Sequence, residues 1–414
     1  MKLTYTHTRY ASYCGYVTQA TVNNLSPLLF VSFQREFGIS IEQIGFMVAM
    51  NFAIQIVVDL LAARFVDKIG YRIAAVGAHI LCTLGLICMG ILPNVLPNAF
   101  GGLLIAVFIN ALGGGLIEVI ISPIVESLPG EQKASAMSLL HSFYCWGHVG
   151  VVLLSTLYFN LAGVQNWRFL PVLWAIVPLV NAILFSRVPL RTLAEGHEAV
   201  PLRKLFSIKI FWLLLILMIC AGAAEQAVSQ WSSLFAESGL GISKTLGDLL
   251  GPCAFAVLMG LARAAYGVYG SRFKIKRVLM LSSGCCVASY LLMVFSPIPL
   301  LSLVGCALCG LFVGIMWPGV TSLSAEQYPG GGTAMFAMLA LAGDIGCSTG
   351  PALVSVISNR VEIAKITITR NLFSGRSLTE AGLKTGLLAA VLFPLLMLIG
   401  VLLLRKKPAA TKRP

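Results

Sequence analysis

The chain is 414 residues long, 58% hydrophobic and only 11% charged, with a mean hydropathy of +0.89. An average soluble domain carries about 25% charged residues; no soluble fold of this length buries so much apolar surface, so its solvent is lipid. The net charge of +13 invites a nucleic-acid partner, but the basic residues are scattered over short loops and a tail, which argues against one.

A spanning helix needs roughly 20 apolar residues. Twelve such runs occur, at about 10–33, 43–66, 73–93, 99–125, 134–160, 168–186, 209–235, 245–268, 277–296, 298–322, 332–357 and 382–404. Lipid offers no partner to open backbone groups, and barrel strands would alternate polar and apolar positions, so the runs are helices. The first contains Gln19, Asn23 and Asn24 and lacks a small-residue cleavage motif, so it reads as a span and not as a removable leader. With both termini in the cytoplasm, twenty of the 29 Lys and Arg residues fall on the cytoplasmic side. The segment after helix 11 runs against this orientation, with Arg360, Lys365, Arg370, Arg376 and Lys384 outside.

The chain is duplicated. PIVESLPGEQ, from Pro123 to Gln132, agrees with PGVTSLSAEQ, from Pro318 to Gln327, at six of ten positions. Gly15, Gln19 and Ala20 of helix 1 recur as Gly222, Gln226 and Ala227 of helix 7, and Gly38-Ile39-Ser40 recurs as Gly241-Ile242-Ser243. Two tandem copies in a membrane place a working site between them at mid-depth and move one against the other, the plan of a carrier. The expected units are an amino-terminal bundle (1–186), a cytoplasmic linker (187–208), a carboxy-terminal bundle (209–404) and a basic tail (405–414). Trp167 and Trp212, at helix ends, are expected to be interfacial anchors. All 11 cysteines fall within predicted helices, in neither zinc nor disulfide spacing, so packing is their expected role.

Between helices 2 and 3 the chain reads DLLAARFVDKIGYR, Asp59 to Arg72. Asp67, Lys68, Gly70, Tyr71 and Arg72 resemble the signature loop of the major facilitator superfamily, with Ala63 where glycine is usual. Gly267, Ser271, Arg272 and Lys276 repeat it weakly in the second half. The resemblance implies an all-α membrane protein with twelve transmembrane helices in two pseudo-symmetric six-helix bundles. Gly70 permits a tight turn, and Asp67 can face a helix amino terminus or a cation of the opposing bundle, which makes the loop a latch. Asp59 and Arg263, at equivalent places inside helices 2 and 8, are expected to be gating or structural ion-pair members.

GGGLIEVIISPIVESLPGE, Gly113 to Glu131, resembles helix 4 of the fucose, glucose and galactose permease family. Glu118 and Pro123 fit that pattern, and Ser122 replaces its asparagine. MSLLHSFYCWGHVG in helix 5, GAAEQAVSQWSSLF in helix 7, WPGVTSLSAEQ of helix 10 and Gly343 to Pro351 extend the likeness. Helix 5 lacks the Gly-x-x-x-Gly-Pro element of drug antiporters, although Gly346, Gly350 and Pro351 supply one in helix 11.

A charged side chain at the bilayer centre costs at least ~2.5–3.5 kcal/mol. A rise of ~1.5 Å per residue nevertheless brings Asn23, Glu118, Glu225 and Asp344 to one depth on helices 1, 4, 7 and 11. Glu118 is the foremost proton-coupling candidate, followed by Glu225 and Asp344. Gln19 and Asn23 share one face of helix 1, and Gln226 and Gln230 one face of helix 7. Such amides suit a hydroxyl-rich ligand or, equally, hold helices together. Asn24, His141, Trp231 and Trp317 complete the expected substrate wall. His141, Cys145 and His148 form one stripe of helix 5, open to a metal, to a substrate contact or to packing; no resident metal is expected. Nucleotide, acyl-transfer and redox motifs are missing, so neither an enzyme nor a cofactor is expected.

The expected function is proton-linked symport of a small polar solute, a sugar fitting best. The alternatives are a proton-coupled exporter of amphipathic compounds and a transporter-like sensor or lipid scramblase. Its expected partners are the solute, a proton or Na⁺ and the bilayer, with no nucleic acid. The protein is expected to work as a monomer, multi-pass in the inner membrane of a bacterium.

Overall fold

A computed structural model describes residues 3–129, 133–190, 202–269, 272–328, 332–364 and 376–404. Twelve helical spans follow one another as the apolar runs require. The first half holds α1 (Tyr5–Phe37), α2 (Ile41–Ile69), α3 (Tyr71–Val95), α4 (Ala99–Ser127), α5 (Lys133–Ala162) and α6 (Phe169–Trp174 continuing as Ile176–Arg187). The second holds α7 (Lys209–Leu234), α8 (Lys244–Asp248 with Ala254–Tyr269), α9 (Ile275–Phe295), α10 (Pro299–Gln327), α11 (Gly332–Ala364) and α12 (Leu378–Ala390 with Leu392–Leu403). Eleven are long and apolar enough to cross a bilayer. The other, α1, is rich in Thr, Gln and Asn, and its polar positions are buried against protein instead of meeting lipid.

The repeated tripeptide has the same job twice. Gly38 and Gly241 adopt φ of 66° and 67°, the left-handed conformation that ends a helix cheaply only for glycine. The serine two residues on then starts the next span, and Ser40 Oγ accepts from the Gln43 amide. Gly70, at φ 86°, makes the tight turn expected between α2 and α3.

α1–α6 pack as one bundle and α7–α12 as another, joined by α2 on α11, α5 on α8 and α1 on α7. Twelve spans bring both ends of the chain to one face. Towards the opposite face, Ser355 Oγ donates to the Ile41 carbonyl (2.9 Å), Asn359 Nδ2 to Glu42 (2.7 Å) and Thr245 to Asn160 (2.9 Å). Arg35 pairs with Glu237 at 3.0 Å, and Lys244 lies 5.1 Å from the centre of the Phe159 ring. The bundles are therefore closed on the face away from the termini.

Several expectations change. Lys384 is not in a loop: it is buried in α12, 3.1 Å from Glu380, and donates to the Ser296 carbonyl. Arg376 shares that glutamate at 3.3 Å, so two of the five discordant charges are paired with one carboxylate and the excess falls by one. Trp167 is no interfacial anchor; it is 1% exposed, packed edge-on against Phe33 and Phe37, and donates to Glu36. Trp212 is 52% exposed, as an anchor should be. Arg72 caps its own bundle, donating to the carbonyls of Phe185, Ser186 and Val188 at the end of α6, so it is no cross-bundle latch in this state. Arg272 lies over the Tyr269 ring on its own bundle. The side chains of Asp67 and Lys68, and residues 365–375 and 405–414, fall outside the described residues.

Candidate functional site

A cavity lies between the bundles at mid-depth. Its wall takes Tyr16, Gln19 and Asn23 from α1, Glu118 from α4, His141 and Tyr144 from α5, and Phe52 from α2. The second bundle supplies Glu225 and Gln226 from α7, Arg263 from α8, Trp317 from α10, and Asp344 and Cys347 from α11. All four residues placed at one depth by counting turns meet here: Asn23, Glu118, Glu225 and Asp344.

An amide chain runs along the first bundle and into the second. Gln19 Nε2 donates to Glu118 Oε2 and to Gln55 Oε1, both at 3.0 Å. Gln55 Nε2 and Asn51 Nδ2 both donate to Asn23 Oδ1, at 3.0 and 3.1 Å. Across the interface, Gln230 Nε2 donates to the Asn23 backbone carbonyl (3.0 Å) and to Gln226 Oε1 (3.1 Å). Small groups make room for this chain: a Cβ on Gly114 would come within 3.1 Å of Gln19 Oε1. Tyr16 and Ser122 share a hydroxyl hydrogen bond at 3.0 Å beside Glu118, so the serine in the asparagine position still has a polar duty.

The charged groups separate into two sets. Arg263 Nη2 reaches Glu225 Oε2 at 3.0 Å, and its Nη1 meets Cys145 Sγ of the first bundle at 3.4 Å. Its Nε donates to the Gly314 carbonyl at 3.3 Å. Proline at 318 has no N–H to give that carbonyl, so the proline in α10 frees the acceptor that Arg263 uses. The other set is acidic: Glu118, Asp59 and Asp344, of which Asp59 and Asp344 lie within hydrogen-bonding reach of each other across the α2–α11 contact. Asp59 and Arg263 are therefore not partners of one another.

Other predicted wall residues lie elsewhere. Trp231 is fully buried behind the cavity, donating to the Pro351 carbonyl. Asn24 is enclosed, giving Nδ2 to the Ala20 carbonyl and to Tyr144, and accepting from Ser229. Gln230 lines an adjoining narrow crevice with Asn23, Asn51 and Asn110. The helix-5 stripe does not converge: His141 opens on the cavity, Cys145 faces Arg263 and His148 is 2% exposed. Among the described residues, no group of His, Cys, Asp and Glu could hold a metal ion.

Residues 12–351 match the Major Facilitator Superfamily. The chain belongs to that superfamily. No curated protein matches its sequence. Among solved structures, a D-xylose–proton symporter is similar at TM-score 0.75 and 15% identity, covering 94% of this chain and 96% of its own. A bacterial homolog of the human lysosomal transporter Spinster, inward-facing and occupied, gives 0.73 and 14%, with 96% of each chain covered. The fucose–proton symporter FucP of E. coli gives 0.63 and 18%, covering 95% of this chain and 97% of its own. At such identities these likenesses bear on the fold alone. The twelve spans in two bundles are accordingly those of a major facilitator, an integral multi-pass membrane transporter.

Sequence reasoning missed Gln55, Asn51, Tyr16, Tyr144 and Phe52 in this transporter. Gln55 is the clearest loss. It stands one turn from Asn51 and from Asp59, a polar stripe of α2 visible in the sequence, and in the structure it is buried at 1% exposure with polar partners.

Proposed function

We propose that this transporter moves a small polar solute, a sugar fitting best, by proton-linked symport with alternating access. The observation that carries this reading is the setting of Glu118. Its carboxylate lines the cavity, and its hydrogen-bond partner is the uncharged amide of Gln19, not a cation. Such a group can take up and give up a proton as the cavity changes sides. Glu225, in contrast, is tied to Arg263. The amides of Gln19, Asn23 and Gln226, with Tyr16, Tyr144 and His141, offer donors and acceptors for hydroxyl groups, and the Trp317 face suits the apolar side of a ring. The D-xylose and fucose symporters named above transport sugars with protons, which supports the same reading.

With the termini in the cytoplasm of a bacterium, the closed face is external and the cavity is inward-facing. The protein acts as a monomer, since each chain holds both halves of the site.

Glu118→Gln in proteoliposomes is expected to abolish accumulation against a gradient while counterflow exchange persists. Normal accumulation by this variant would overturn the assignment. Acid-driven dye uptake by inside-out vesicles would favour export instead, and accumulation driven by Na⁺ without a proton gradient would replace the coupling ion.

A further inference from the structure

Three carboxyl groups approach one another where α2, α4 and α11 meet, and among the described side chains no base pairs with Asp59 or Asp344. Asp59 of α2 and Asp344 of α11 belong to opposite bundles and lie within hydrogen-bonding reach. Asp344 is 5% exposed and lines the cavity, yet its Oδ2 has no hydrogen-bond partner; Asp59 Oδ1 is also buried without one. Glu118 faces both aspartates from α4. Cys347, one turn along α11, lies among Asp344, Glu118 and Glu225. From α1, Tyr16 approaches Glu118. Arg263, the cavity's guanidinium, is engaged by Glu225.

Two carboxylates cannot donate to one another. The contact is bonded only when one of the two keeps its proton, and without that proton two negative charges press α2 and α11 apart. Towards the closed face the same two helices are joined by separate hydrogen bonds, with Ser348 Oγ donating to the Ala49 carbonyl at 3.2 Å, Ser355 to Ile41 and Asn359 to Glu42. Repulsion at the aspartates therefore acts on a seam that a few hydrogen bonds hold.

We propose that Asp59 and Asp344 share one proton as a cross-bundle latch: the proton holds α2 against α11, and its loss opens the face away from the termini. The pair is a second proton site beside Glu118, reached from the same cavity through Asp344. This deepens the symport reading and rests on it, because it gives the proton a direct hold on which face is open. The sign follows from the charges. Low pH keeps the far face closed, and rising pH opens it.

The test places spin labels, carried by a noncanonical amino acid, at Gln165 and Ile298, exposed positions near that face on the two bundles. Distances are measured in nanodiscs from about pH 5 to about pH 9. The wild type is expected to gain a longer-distance population by at least about tenfold in ratio across that range. Asp59→Asn and Asp344→Asn each supply an amide that donates without a titrating proton, so each should hold the short distance at every pH. Glu118→Gln removes a neighbouring negative charge, so it should still open with rising pH but over a displaced range. Invariant wild-type distances, or an Asp59→Asn variant that titrates like the wild type, would overturn the latch. Failure of symport is separately visible: solute entering proteoliposomes without proton entry removes that reading even where the distances respond, and coupled entry with invariant distances removes only the latch.

Discussion

Arg263 on α8 and Glu225 on α7 join at 3.0 Å within one bundle, while the same guanidinium touches Cys145 of the other at 3.4 Å. One cation thus fixes the rear wall of the cavity and rests on the moving partner. Removing either member leaves a largely buried charge without its counterion, which costs on the order of 3 kcal/mol. Arg263→Met and Glu225→Gln are each expected to lower the melting temperature in detergent and to cut transport severely. The double variant should recover most of the stability and none of the transport. Two single variants as stable as wild type would show the pair to be dispensable.

Asn23 is the hub of the amide chain, its side-chain oxygen taking two donors and its carbonyl a third from the other bundle. Asn23→Leu strands the amides of Asn51 and Gln55, at a cost of about 1–3 kcal/mol for unpaired buried donors. It should weaken solute binding by about tenfold or more, read as a rise in the dissociation constant by calorimetry. Asn23→Asp keeps an acceptor and should bind more nearly as wild type does. If both variants bind equally, the side-chain oxygen is not what orders the wall.

The Gly346-Gly350-Pro351 element, which resembles part of the drug-antiporter pattern, has a packing explanation. A Cβ on Gly346 would lie 2.1 Å from the Ile219 carbonyl oxygen, and one on Gly350 2.4 Å from that of Ala223. These glycines let α11 lie backbone to backbone on α7, the small-residue mode of membrane helix packing. Gly346→Ala is expected to destabilise the fold by about 1–3 kcal/mol through forced backbone displacement. Thermal unfolding in detergent would register it; an unchanged midpoint would mean that α11 is free to shift.

How much of this was legible in the sequence depended on whether a residue's meaning is local. Gly38, Gly241 and Gly70 act through their own backbone angles, so the repeat and the signature loop disclosed them. Glu118, Gln19 and Asp344 stood out because lipid makes any charge or amide conspicuous. Trp231 misled because it adjoins Gln230, and a helix turns about 100° between neighbours, which carries the ring away from the cavity. Tyr16 and Tyr144 gave no signal, since an aromatic hydroxyl suits an interface as well as a site. The partners of Arg263 and Asp59 were not legible at all. Which acid meets which base across helices is set by packing, and packing joined Asp59 to another acid.

Gly45 of α2 lies directly against Ser355 of α11 on the closed face. A Cβ there would fall 2.0 Å from Ser355 Oγ, so any side chain must push α2 from α11 or displace Ser355. The hydrogen bond from Ser355 to the Ile41 carbonyl would be lost in either case. Overpacking of this kind costs about 1–3 kcal/mol, but only in the state where that face is shut. The open state bears no such cost, so Gly45→Val should shift the balance between the two faces by about ten- to a hundredfold towards opening opposite the termini. The same pair of labels at Gln165 and Ile298 would report it, at acidic pH where the wild type stays closed. A Gly45→Val carrier that still closes there would show that α2 and α11 separate by another route.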